Sequence, residues 1–208
     1  MAELGSDPER ERRAAGRRCG PCSLCCTLLR VDALNKPAGR DCIHQRSGEA
    51  SGGCGIHDTR PPVCRAYRCL WLQGGLEDDE RPDRIGGVVD LETVGVGLRL
   101  GIREAQRGRY DASPALQSIA ARYREQMPVR ITDAEDVLNP DRPFRVLLAD
   151  GVEQRVEGDR VEIYREGVLV ETRRLPWAER IGRRLAGWWR ARGLDSGARG
   201  SSAPDDSR

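Results

Sequence analysis

An α+β fold is the architecture this sequence predicts, on two observations. All eight cysteines fall between Cys19 and Cys69, with both histidines, in a stretch that carries few apolar residues. Further along, Asp150-Gly151, Gly158-Asp159 and Glu166-Gly167 separate six-residue runs, the pattern of strands joined by two-residue turns. The expectation is a small irregular metal-organised cysteine-rich domain followed by an antiparallel β-meander with flanking helices. The expected order is a disordered tail over 1–18, the cysteine-cluster domain with trailing strands over 19–112, an α+β appendage over 113–192 and a disordered tail over 193–208.

Both tails are charged or rich in Gly, Ser and Pro and lack hydrophobic periodicity. Residues 1–18 contain no apolar run of the kind a secretory signal needs, so a cytoplasmic protein is expected. Nothing in the chain approaches the apolar length of a membrane span. Cysteines used only for packing would be scattered among the apolar residues of the whole chain; thiols gathered in one segment act together. In a reducing compartment that pattern reads as metal-binding or catalytic rather than as a disulfide framework. The spacing agrees: in Cys19-Gly-Pro-Cys22-Ser-Leu-Cys25-Cys26 the two-residue spacers let one tight turn aim successive sulfurs at a common point.

Residues 74–82 read as a polar connection, and Ile85–Leu91 and Val94–Ile102 as strands. Ser113-Pro114 supplies a helix cap followed by proline in the first turn. Leu116, Ile119, Ala120, Tyr123 and Met127 then recur on one helical face, and Pro128 ends the run. From Phe144 to Arg173 a four-stranded antiparallel meander is expected, with two-residue turns pairing Leu147 with Gln154, Val156 with Val161 and Ile163 with Val170. A helix over 177–192 presents Trp177, Ile181, Leu185 and Trp188 as a stripe expected to cover the apolar face of that meander. No catalytic set stands out in this half. Gly95, Gly97 and Gly101 lack the spacing of a dinucleotide loop.

Charge is high but nearly balanced at +2, which provides no strong field for nucleic acid or membrane. The tryptophan-rich basic helix is read as a cover for the meander before a membrane or nucleic-acid contact. Almost every basic residue is arginine, spread along the whole chain, with Lys36 the sole lysine, a bias that reads as genomic base composition.

The cysteine segment resembles the YkgJ-type cysteine-cluster family, which is described as zinc- or iron-chelating and often labelled iron–sulfur oxidoreductase. The resemblance rests on the opening C-x-x-C-x-x-C-C at Cys19 to Cys26, on Cys42, and on Cys54-Gly-Ile-His-Asp-Thr-Arg-Pro-Pro-Val-Cys64-Arg65. It covers residues 19–72 and extends toward Asp90 through Arg81-Pro82-Asp83-Arg84. His57 stands where the family more often has tyrosine, and nothing from Ser113 onward is covered. The resemblance implies metal held by Cys19, Cys22, Cys25, Cys26, Cys42, Cys54 and Cys64. Cys69 lies beyond the shared core, and His44 and His57 are read as supporting residues, because the thiolates already exceed four.

Two arrangements stay open: an iron–sulfur cluster on Cys19, Cys22, Cys25 and one remote cysteine, or a pair of metals or a zinc site beside a small set of redox-active thiols. Pro61 and Pro62 restrict the backbone before Cys64. Arg60, Arg65 and Arg68 bracket Cys64, and either offset thiolate charge or reflect the general abundance of arginine. The function expected is metal chelation. An iron–sulfur or thiol-dependent oxidoreductase and a zinc-stabilised protein-interaction module without catalysis are its rivals.

Overall fold

The computed structural model describes residues 8–19, 22–46, 53–134, 139 and 141–191. Helix α1 (Pro8–Ala15) leads into the cysteine segment, which carries the short helices α2 (Leu24–Leu28) and α3 (Pro62–Ala66). After α4 (Pro82–Ile85) come strands β1 (Gly87–Val94) and β2 (Gly97–Glu104), then helices α5 (Arg109–Ala112) and α6 (Pro114–Arg124). Strands β3 (Val129–Thr132), β4 (Phe144–Leu147), β5 (Val152–Glu157), β6 (Arg160–Arg165) and β7 (Val168–Arg174) follow, and α7 (Trp177–Ala191) closes the described chain. The seven strands form one sheet in chain order, antiparallel throughout except for the parallel pair β2 and β3. A parallel pair needs a crossover, and α5 with α6 supplies it. Ser113 caps α6 as its sequence signal requires, accepting a hydrogen bond from the Leu116 amide at 3.4 Å.

The α+β class and the meander β4–β7 stand as the turn spacing implies. Val156 does pair with Val161. The other two registers differ from expectation by one residue each. Leu148 and Ala149 both bond to Val152, so Leu147 pairs with Glu153 and not with Gln154. In the last hairpin Arg165 pairs with Val168 and Tyr164 with Leu169, but a bulge at Val170 sets Ile163 opposite Glu171. Each turn is local and legible, whereas the bulge beside it leaves no turn residue to mark it.

The sheet has two different faces. On one, Val89, Leu100, Ile102, Val129, Ile131 and Leu147 pack with Leu116, Ile119 and Ala120 of α6 and with Leu70, Leu76 and Ile85. This core crosses the boundary expected at 112/113, because a sheet shared by both halves needs a single cover. The other face carries Val88, against which Leu28 and Cys69 pack, and beyond it the polar series Asp90, Glu92, Arg99 and Arg103. Residues 67–76 run along the free edge of β1. The Leu70 amide donates to the Val89 carbonyl at 2.7 Å, and Cys69 and Leu70 belong to the clusters on opposite faces.

Two further expectations need correction. Residues 8–15, read as part of a disordered tail, form α1, which docks through polar periodicity instead of apolar periodicity. Arg10 donates to the Gln73 carbonyl, Arg13 to the Gly74 carbonyl, and the buried Arg17 to the carbonyls of Trp71 and Leu76. The approach is so close that a Cβ on Gly74 would stand 2.1 Å from the Arg10 carbonyl oxygen. The stripe on α7 does not cover the meander: Trp177 is 73% exposed and Ile181 48%, and Val168, Leu169 and Val170 are exposed as well. Only a small cluster of Val156, Val161 and Leu175, with Phe144 and Ile163 beside it, is buried there. Residues 193–208, expected as a tail, lie outside the described residues.

Candidate metal centre

Helix α2 brings Cys25 and Cys26 onto one turn immediately after the loop that carries Cys19 and Cys22. The stretches carrying Cys42 and Cys54 are joined to each other by short backbone bonds. Arg46 donates to Gly53, Gly55 donates to His44, and Gln45 lies opposite Cys54 in an isolated bridge. Cys64 sits on α3, whose first turn holds Pro62. These pieces, up to 45 residues apart, meet around one cavity of about 640 Å³. All eight cysteines and both histidines line it, with Leu28, Val31, Ile56 and Trp71 supplying apolar wall. Every cysteine is a free thiol, and Cys69 alone among them is buried.

Cys19, Cys25 and Cys26 lie close enough to act on one another: the Cys25 pKa is pushed far up by its two neighbours, and theirs are lowered by it. Burial works against ionisation of Cys19 and Cys26, and nearby cations work for it: Arg60 for both and Lys36 for Cys26. Burial raises Cys22 to about 11, and it raises Cys64 and Cys69 as well. Among the described residues no group of three or more Cys, His, Asp or Glu side chains is placed so that it could hold a metal ion as it stands. What is present is a set of free thiols gathered around one cavity.

The donor chemistry suits a soft metal. Thiolates select zinc or iron–sulfur centres, and the charge they gather needs offsetting. Lys36 and Arg60 supply that offset. Burial lowers the pKa of Lys36, while Cys42, Cys26 and Cys25 act to keep it charged. Its Nζ donates to the Thr27 carbonyl at 2.7 Å and also to the Leu29 carbonyl, so it caps the end of α2 as well. The only lysine in the chain is therefore buried within the cysteine segment. Of the three arginines around Cys64, only Arg60 lines the cavity; Arg65 and Arg68 are exposed. His57 is exposed and contacts Asp58 at 3.3 Å, and His44 lies half-buried on the wall.

Two more residues hold the site together, and neither carries a sequence signal of its own. Gln45 Nε2 donates to Ser23 Oγ at 2.8 Å and to Thr27 Oγ1 at 3.2 Å, tying the Cys42–Cys54 loop to α2. Tyr67 donates to Asp90 Oδ2 at 3.1 Å, tying the end of α3 to β1. Asp90 was detectable, because a carboxylate interrupts the apolar run Val88-Val89-Asp90-Leu91. It lines the cavity with Arg103, Asp133 and Arg142, and so gives the thiol pocket a charged end. Burial raises the Asp90 pKa despite the Arg103 guanidinium bonded to it, whereas at Glu92 the burial penalty is outweighed by Arg103 and Arg99. Both carboxylates lean over Gly101, where a Cβ would stand 2.7 Å from Asp90 Oδ1 and 2.8 Å from Glu92 Oε1. Across β3 the Arg142 guanidinium donates to the Asp133 carbonyl at 2.8 Å.

The chain matches no family model, no curated protein and no solved structure.

Proposed function

We propose that this chain is a metal-binding cysteine-cluster protein, holding iron as an iron–sulfur centre, or zinc, through Cys19, Cys22, Cys25, Cys26, Cys42, Cys54 and Cys64. The observation that carries the proposal is the convergence of thiols from four separate segments on one cavity that Arg60 also lines, with the buried Lys36 near enough to favour the Cys26 thiolate. The sequence resemblance to YkgJ-type chelating domains supports the same reading. Bound there, iron–sulfur would supply electron transfer, and zinc a structural cross-link. The chain's own part is to gather the thiols, give up their protons on ligation, and keep the site screened by apolar wall. A reducing cytoplasm, where thiols stay available, is the compartment this chemistry suits. No described helix is long and apolar enough to cross a membrane.

A second reading, an iron–sulfur or thiol-dependent oxidoreductase, is favoured by the charged end of the cavity at Asp90 and Arg103, which extends the pocket beyond what ligation alone needs. Metal analysis with a visible spectrum on anaerobically purified protein tests the proposal and separates the metals: iron–sulfur colours the protein and zinc does not. Serine at Cys19, Cys22, Cys25, Cys42, Cys54 or Cys64 is expected to lower bound metal, while Cys69→Ser leaves it near the wild-type level. Protein that takes up neither metal after reconstitution with iron and sulfide, or with zinc, would overturn the proposal.

A further inference from the structure

We infer that α7 is an interfacial helix that seats the molecule on an anionic lipid surface. Helix α7 is held to the meander by its polar side. Arg183 donates to the Gly158 carbonyl at 3.0 Å and lies 5.3 Å from the centre of the Phe144 ring, and Arg180 approaches Asp159 at 3.6 Å. At about 100° per residue, Trp177, Ile181, Leu185 and Trp188 fall within one quarter of the helix, on the side away from Arg183, with Arg180 at the margin between the two sides. The first three are 73%, 48% and 50% exposed, and Trp188 is 45% exposed. An amphipathic helix normally buries its apolar stripe and wets its polar one; here the attachment is reversed, and the stripe is turned outward as a surface.

Its chemistry selects the occupant. Residues 177–192 carry five arginines against a single glutamate, and three of the chain's four tryptophans. The exposed Arg184 lies beside the stripe, whereas Glu179 projects away from it. Tryptophan and arginine together suit the boundary between headgroups and acyl chains: the indole sits across it, and the guanidinium reaches back to phosphate. A two-fold contact with a second copy would instead set one arginine-rich rim against another of the same sign. The helix lies on such a surface and does not span it, being 15 residues long with charge on one side. Neither the cysteine cavity nor its occupant takes part in this surface.

Flotation of the full-length protein with vesicles of phosphatidylcholine alone, or of phosphatidylcholine mixed with phosphatidylglycerol, tests the assignment. Binding is expected only to the anionic vesicles and should fall as salt is raised. Ile181→Asp with Leu185→Asp should abolish binding without altering the circular dichroism of the protein, since both residues are about half exposed and neither belongs to a buried cluster. Arg184→Gln should weaken binding by about five-fold, the loss of one basic residue near a charged membrane. Absence of binding to anionic vesicles, or binding that survives the double aspartate variant, would overturn the assignment. So would a lipid-free dimer that this variant dissociates, because the stripe would then be a self-association surface.

Discussion

The cysteine segment and the meander are organised by opposite means. Residues 19–76 have little regular structure, yet they are fixed from a distance: by Arg17 and Gln45 reaching across the chain, by Tyr67 on Asp90, and by the bond from Leu70 to Val89. The meander is regular, with every strand paired to its sequence neighbour, yet it buries only a small cluster, and β7 is exposed along its whole length. Regular backbone is therefore a poor guide to where this molecule is stable. The irregular half contributes Leu70 and Leu76 to the main core, and the orderly half is largely wetted.

The largest effects that sharpen this contrast lie at the shared core. Leu70→Ala and Ile119→Ala remove fully buried side chains and should each cost about 2–5 kcal/mol in a denaturant melt. By the same logic a fragment beginning at Val129 retains only Val129, Ile131 and Leu147 from that core and should show no cooperative melt by circular dichroism. A sharp, cooperative transition in that fragment would mean that the meander carries a core of its own.

Next come the tethers of the cysteine segment. Gln45→Ala should cost about 1–2 kcal/mol by leaving Ser23 and Thr27 without their partner. It should also lower metal affinity about 10–100-fold, as residues that orient ligands typically do. Stripping metal should not release the whole segment. Residues 64–76 remain pinned to β1, so limited proteolysis of chelated protein is expected to cut between residues 42 and 60 and to spare the stretch from Cys64 to Leu76. Cleavage throughout 19–76 would show that metal alone organises the segment.

How much of this was legible in the sequence follows the same division. Turn pairs are local chemistry, so Asp150-Gly151 and Glu166-Gly167 announced the hairpins, and the run from Leu116 to Met127 announced α6. The bulge at Val170 was not legible, because an unpaired residue within a strand looks like any other. The convergence of the thiols was legible from their clustering alone. The residues that support them were not: Lys36 and Gln45 act through contacts 7 to 22 residues away, and nothing in their immediate neighbours marks them. Helix α1 was missed because its docking face is arginine spaced at 10, 13 and 17, and a search for apolar periodicity passes over it. The error at α7 ran the other way: the apolar stripe is real, but an apolar stripe does not say which way it faces.

That last point sets the smallest expected effect. Ile181→Ala and Leu185→Ala should change the stability of the lipid-free protein by no more than about 0.5 kcal/mol, the usual range for exposed positions. Val161→Ala in the adjacent small cluster should cost about 1–3 kcal/mol, since its side chain is 1% exposed. Urea melts of the three variants compare the two positions directly. If Ile181→Ala cost as much as Val161→Ala, the stripe would already be packed in the isolated protein, and the meander would be the half with a covered face. A near-zero change at Ile181 beside a clear loss at Val161 would place the boundary of the folded core between β6 and α7, and would leave the helix as surface whose apolar side acts only once something else arrives to meet it.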